Sequence, residues 1–196
     1  PVVSVSRGKG PVARLDQNLQ DLTGISVTRL DNSQTTVGGV LADTNTDGFL
    51  VLHKGEIITE EYFGGMTADT LHLAQSVSKS IVGTLAGIFL NSGLLDLGAR
   101  VQTYVPELAN SGYANATIKN LLNMQTGVQF NEDYTDPDAE FALLDMAAGW
   151  KDRITGTEPE TIYDLLVSIA EDRRHGEYFQ YRSIDTDVLA WVCERV

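Results

Sequence analysis

Residues 75–92 read QSVSKSIVGTLAGIFLNS, and this stretch decides the fold. Ile81, Val82, Leu85, Ile88 and Phe89 recur at the three- and four-residue steps of a helix, and Gly93 follows as a C-terminal stop. Lys79 is the only charge, so the helix is expected to be buried on most sides. Gly83 and Gly87 lower helix propensity, and their expected use is close approach by a neighbouring element. Ser76 and Lys79 stand three apart at the N-terminal end. Side chains at i and i+3 share a face, so hydroxyl and amine can meet. Backbone N–H groups left open at that end favour developing negative charge. A lysine in such apolar company is expected to be partly desolvated, which makes the neutral amine accessible. A neutral amine can accept the serine proton, and serine is otherwise a weak nucleophile. Ser-x-x-Lys alone is a weak pattern, because a capping serine beside a solvent-facing lysine has the same spelling.

Upstream, GFLVLHK at residues 48–54 is followed by Gly55, Glu56 and then IITEEYFGG. Two β-rich runs around a Lys-Gly-Glu turn predict an antiparallel hairpin. Residues 35–40 read as a short strand, residues 43–48 as a polar turn, and residues 1–20 as an irregular extended arm. DTNTDGF at residues 43–49 resembles the opening of a calcium loop, with Asp43, Asn45 and Asp47 in phase. Its twelfth position is Lys54, where a bidentate Glu is required, so a polar turn is the better reading.

Downstream, residues 94–108 read as loops and turns ending near Pro106. Thr117 caps a helix over residues 118–125 that stops before Gly127. Residues 128–140 form a polar, acidic loop, and residues 141–149 a short helix. Residues 158–174 predict a longer helix, with Pro159 at its start, acids early and arginines late. Residues 185–195 begin another, with Val188, Leu189 and Val192 on one side. Tyr181 and Ser183 fall in the loop just before it. A phenol beside an ammonium has a favoured phenolate, so Tyr181 is a candidate proton relay with Lys79, and Ser183 a candidate to orient Lys79 or the leaving group.

Composition limits the alternatives. The 196 residues suffice for one domain with a real core, and 42% hydrophobic content argues against general disorder. The formal net charge of -13 opposes nonspecific binding to nucleic acid or to an anionic membrane. A single cysteine, Cys193, excludes an internal disulfide and a cysteine-based metal site, and its apolar neighbours mark it as a buried small residue. His53, His72 and His175 lack metal-binding spacing, the Gly-x-Ser-x-Gly elbow is absent, and no cofactor motif is present. No signal peptide is visible, and the cytoplasm is slightly favoured, with a removed leader left open. Homo-oligomerisation is left open too.

Three segments together carry a resemblance: LHLAQSVSKSIVGTLAGIFLNSGLLDLGARVQTYVPEL (71–108), TIKNLLNMQTGVQFNEDYTDPDAE (117–140) and YFQYRSIDTDVLAWV (178–192). The chain resembles the serine β-lactamase and penicillin-binding-protein superfamily, in particular its class C-like esterases and 6-aminohexanoate-dimer hydrolases. The resemblance implies an α+β fold, an antiparallel sheet with a mostly helical domain. Residues 1–70 would hold the arm and strands, and residues 71–196 the helical part. It implies Ser76 as acylated nucleophile, Lys79 as its activator, and Tyr181 as general base and then acid. Ser183 would occupy the third position of the Tyr-x-Asn/Ser element. Tyr134 would close over substrate and Asp145 would contact a substrate amine. The implied reaction is acyl transfer on small linear amides or carboxylic esters, without a cofactor. Rival readings are a D-amino-acid peptidase or carboxypeptidase, a β-lactamase-like enzyme, and a noncatalytic binding protein of the same fold. Relatives also carry a later Lys/His-Thr/Ser-Gly strand, which supplies an oxyanion N–H, and nothing after Tyr181 matches it. The expectation is therefore a sheet lacking its C-terminal strands, completed by a further segment or a second polypeptide.

Overall fold

The computed structural model describes residues 4–6, 8–156 and 158–196. The chain forms two compact units, Pro1–Leu73 and Ala74–Val196.

In the first unit the predicted hairpin is present as β4 (Gly48–His53) and β5 (Glu56–Tyr62), paired antiparallel. Lys54 and Gly55 join them with φ of 51° and 86°, the left-handed pair that matches the twist of a two-residue hairpin. β1 (Asp16–Gln17) lies parallel on the other edge of β5, giving the order β1-β5-β4. The rest of the described arm up to residue 20 is irregular and exposed. β2 (Ser26–Thr28) and β3 (Gln34–Thr36) form a separate antiparallel pair. The strand expected at residues 35–40 is corrected. β3 stops at Thr36, whose hydroxyl accepts the Gly39 N–H at 3.1 Å and caps the helix α1 (Val37–Asp43). The β-branched run Thr35-Thr36-Val37 looks like a strand, but the cap at Thr36 decides. Only Ile58 and Thr59 are buried among the described residues of this unit.

The second unit holds the core. Its helices are α2 (Val77–Asn91), α3 (Val101–Tyr104), α4 (Ile118–Leu122), α5 (Glu140–Ala147), α6 (Ile162–Ser168) and α7 (Ser183–Arg195), with a 3-10 turn at Pro106–Asn110. Val101, Val105, Leu108, Tyr113, Ile118, Leu165 and Leu166 pack with Ile184, Val188 and Val192 of α7 into one cluster. Thr117 and Thr161 open α4 and α6 through reciprocal capping boxes with Asn120 and Asp164.

One expectation fails here. The helix expected over residues 158–174 is limited to α6, because Thr161 sets its start and Ile169 turns extended at its end. Residues 169–173 instead run beside residues 127–129: Gln129 N donates to Ala170 O, and Asp172 N and Arg173 N both donate to Gly127 O. A Cβ at Gly127 would stand 1.8 Å from Arg173 O, so only glycine allows this approach. Within the unit Ala74–Val196, α2 buries Ala86, and Val77, Ile81, Leu85 and Ile88 are exposed. Nothing among the described residues lies within 4 Å of a Cβ built at Gly83 or Gly87. α2 meets α7 along one face.

Candidate active site

Ser76 occupies the N-cap position of α2, and its side chain makes no capping bond, which leaves the hydroxyl available. Gln75 before it has φ of 45°, a left-handed conformation that non-glycine residues adopt at a cost. One helical turn on, Lys79 Nζ donates to Ser76 Oγ at 3.0 Å. Tyr181 Oη donates to the same oxygen at 2.6 Å, across 105 residues of sequence. Lys79 Nζ also lies 5.2 Å from the centre of the Tyr181 ring, within cation–π range. One hydroxyl thus meets two titratable groups, with distances suited to proton transfer in either direction.

Tyr181 is placed by what flanks it. Gln180 N donates to Met124 O at 2.9 Å. The Arg182 side chain turns inward and is buried, donating to Thr126 O at 2.9 Å, Phe130 O at 3.4 Å and Gln180 Oε1 at 2.7 Å. Asp185, buried beside it, accepts from Tyr113 Oη at 2.9 Å and Thr126 Oγ1 at 2.7 Å. Burial pushes the Asp185 carboxyl up to about 6, against these hydrogen bonds and the nearby guanidinium. Burial also raises Asp187 to about 6, moderated by the positive charge of Lys79.

Ser183 is the first residue of α7, and its hydrogen bonds go to Glu132. Its hydroxyl donates to Glu132 Oε1 at 2.6 Å, and its N–H donates to Glu132 Oε2. Tyr134 Oη donates to the same Glu132 Oε1 at 2.7 Å, and this bond is the main reason the phenol is pushed up to about 12. The Tyr134 ring stands edge-on to Phe141 at 4.6 Å. Asn131, Glu132, Asp133, Tyr134 and Thr135 join Gln180 and Tyr181 around an open hollow of about 430 Å³. Asp145 on α5 is occupied by an ion pair with Lys151 at 2.7 Å.

The structure therefore gathers Ser76, Lys79 and Tyr181 at one oxygen, and Tyr134 and Ser183 at Glu132. Glu132 and the buried Arg182 and Asp185 are not legible as site residues in the sequence. Glu132 lies in an acidic loop where every carboxylate looks solvated, and an arginine between Tyr181 and Ser183 reads as surface. Among the described residues no group of three His, Cys, Asp or Glu side chains is arranged to hold a metal ion. His175 is half-buried with Nδ1 accepting the Gly127 N–H at 2.8 Å, a loop-bracing contact. Cys193 is buried, which pushes its thiol up and away from nucleophilic use. No helix among the described residues is long and apolar enough to cross a membrane.

Comparison with known proteins places the chain in a family. A protein described as 6-aminohexanoate-dimer hydrolase from Paenarthrobacter ureafaciens is 43% identical over 173 residues, covering 87% of this chain and 44% of that protein. A solved Bacillus anthracis structure, provisionally assigned as a 6-aminohexanoate-dimer hydrolase, matches with a TM-score of 0.83 and 30% identity over 94% of this chain and 48% of that one. A family VIII carboxylesterase shares the fold, with a TM-score of 0.53 at 20% identity, over 80% of this chain and 42% of that one. The chain thus spans under half the length of the relatives it matches. The family model described as Beta-lactamase matches residues 26–196, and the chain belongs to that family, with its α+β fold.

Proposed function

We propose that this chain carries the acylation machinery of a serine hydrolase acting on small linear amides or carboxylic esters, of the 6-aminohexanoate-dimer type. The observation that carries the reading is the Ser76 hydroxyl shared by Lys79 and Tyr181. Ser76 Oγ attacks the carbonyl carbon, and its proton passes to Lys79 or Tyr181 in its basic form. The Ser76 N–H and the open end of α2 stabilise the oxyanion that forms. Tyr181 then protonates the leaving amine or alcohol, an ester to Ser76 remains, and water releases it.

The substrate has two versions. An amide with a free amino end would set its ammonium against Asp145, as an acidic side chain suits such a group. The Lys151–Asp145 pair favours the second version, ester hydrolysis without that contact, because a substrate ammonium must displace Lys151. Incubation with a chromogenic short-chain ester, followed by intact mass, tests the reading. An acyl adduct that disappears in Ser76→Ala is expected. A folded chain that releases chromophore equally well with Ser76→Ala contradicts it. Lys151→Ala separates the two versions: it improves the half-saturation for amino-terminated amides and leaves simple esters unchanged only if Asp145 receives the amine.

A further inference from the structure

We propose that Glu132 is a positioning residue, whose carboxylate ties the Tyr134 loop to the first residue of α7 and thereby fixes Tyr181 on Ser76. The proposal rests on the hydrolase reading for its catalytic consequence and on hydrogen bonding for the tether itself.

Glu132 receives three donors: the Ser183 hydroxyl at 2.6 Å, the Ser183 N–H, and the Tyr134 hydroxyl at 2.7 Å. All three are neutral. The Ser183 N–H belongs to the first turn of α7, where N–H groups have no partner within the helix. The N-cap residue, Arg182, makes no side-chain capping bond. Glu132 supplies the cap from 51 residues away, with a carboxylate at the end of the helix where negative charge is favoured. Tyr181 stands two residues before Ser183, so the start of α7 sets the position of its phenol. The same loop is bound a second time, since Arg182 donates to Thr126 O and Phe130 O. That second attachment holds α7 in the fold when Glu132 is altered. What changes is the orientation of Tyr181 and Tyr134 around the hollow they line.

Glu132→Gln isolates this role. The amide has one acceptor oxygen for three donors: its NH2 either faces the Ser183 N–H, donor against donor, or turns to the Ser183 and Tyr134 hydroxyls, which must then accept and give up their present bonds. Tyrosines labelled with 13C at Cζ report each phenol, with Tyr134→Phe and Tyr181→Phe assigning the signals. In Glu132→Gln the Tyr134 titration is expected to fall from about 12 toward the ordinary 10.0, and the Tyr181 resonance to move. Acylation of Ser76 by the chromogenic ester is expected to slow about tenfold, with half-saturation changed less, as loss of orientation requires. Glu132→Asp, which keeps two carboxylate oxygens, recovers part of the rate. A folded Glu132→Gln chain with an unmoved Tyr181 resonance and acylation within twofold of the original overturns the proposal. If the original chain is not acylated at all, the hydrolase reading falls alone. The tyrosine resonances still judge the tether, and an unmoved Tyr181 rejects it. If Glu132→Gln does not fold, the same measurements on Glu132→Asp decide, with smaller shifts expected and no shift contradicting the tether.

Discussion

α2 and α7 lie against each other and divide the hydroxyl cluster between them, yet they are anchored in opposite ways. α7 buries seven side chains, including Ile184, Val188 and Trp191, whereas α2 buries one. Ser76 and Lys79 stand on the exposed helix, and Tyr181 is held by the buried one. Precision at Ser76 Oγ therefore comes from the deeper helix and its polar anchors.

The contrast can be broken most severely at Arg182. Arg182→Ala strips three acceptors of a buried donor and leaves Asp185 without its neighbouring cation. A loss of about 4 kcal/mol is expected in urea unfolding. Next comes a matched pair of substitutions. Ile184→Ala on α7, at 0% exposure, should cost about 3 kcal/mol through lost contacts and the cavity left behind. Ile88→Ala on α2, at 58% exposure, should change stability by less than about 0.5 kcal/mol. Equal costs would mean that the two helices are anchored alike.

A smaller effect appears with pH. Burial raises the Asp185 carboxyl from 3.8 to about 6, so its protonated form is the one the fold favours. Its contribution is complete below about pH 4 and is lost as pH rises through about 6. By linkage the charged form costs roughly 3 kcal/mol at neutral pH. Asp187 acts in the same direction. His175 acts oppositely, because burial lowers its pKa and stability is lost as pH falls below 6.5. The slope is therefore read as a difference: Asp185→Asn should flatten the decline between pH 4 and 6. An unchanged slope would show that Asp185 titrates normally.

Much of this architecture is legible in the sequence, for identifiable reasons. The hairpin is written in alternating β-rich runs around Lys54-Gly55, and α4 in the Thr117 cap. α7 is written in the spacing of Val188, Leu189 and Val192. The misreadings are equally local. α1 hides behind β-branched residues that look like a strand until Thr36 is seen capping Gly39. The sequence pattern overextends α6 because residues 169–173 spend their backbone bonds on Gly127 and Gln129, a pairing that no local pattern announces. At the site, the i, i+3 step brings Lys79 to Ser76 within one helix. Glu132 was invisible because its partner, Ser183, is 51 residues away. Arg182 was invisible because its acceptors are backbone carbonyls, which leave no trace in sequence.

The central claim is that Ser76, activated by Lys79 and Tyr181, is the group that is acylated. Reaction with a fluorophosphonate, followed by peptide mapping by mass, tests it most directly. The account predicts one adduct, on Ser76, formed about a thousandfold more slowly in Lys79→Ala, as expected when one member of a cooperating group is removed. An adduct on Ser78 or Ser80, or labelling of Ser76 at an unchanged rate in Lys79→Ala, would contradict it.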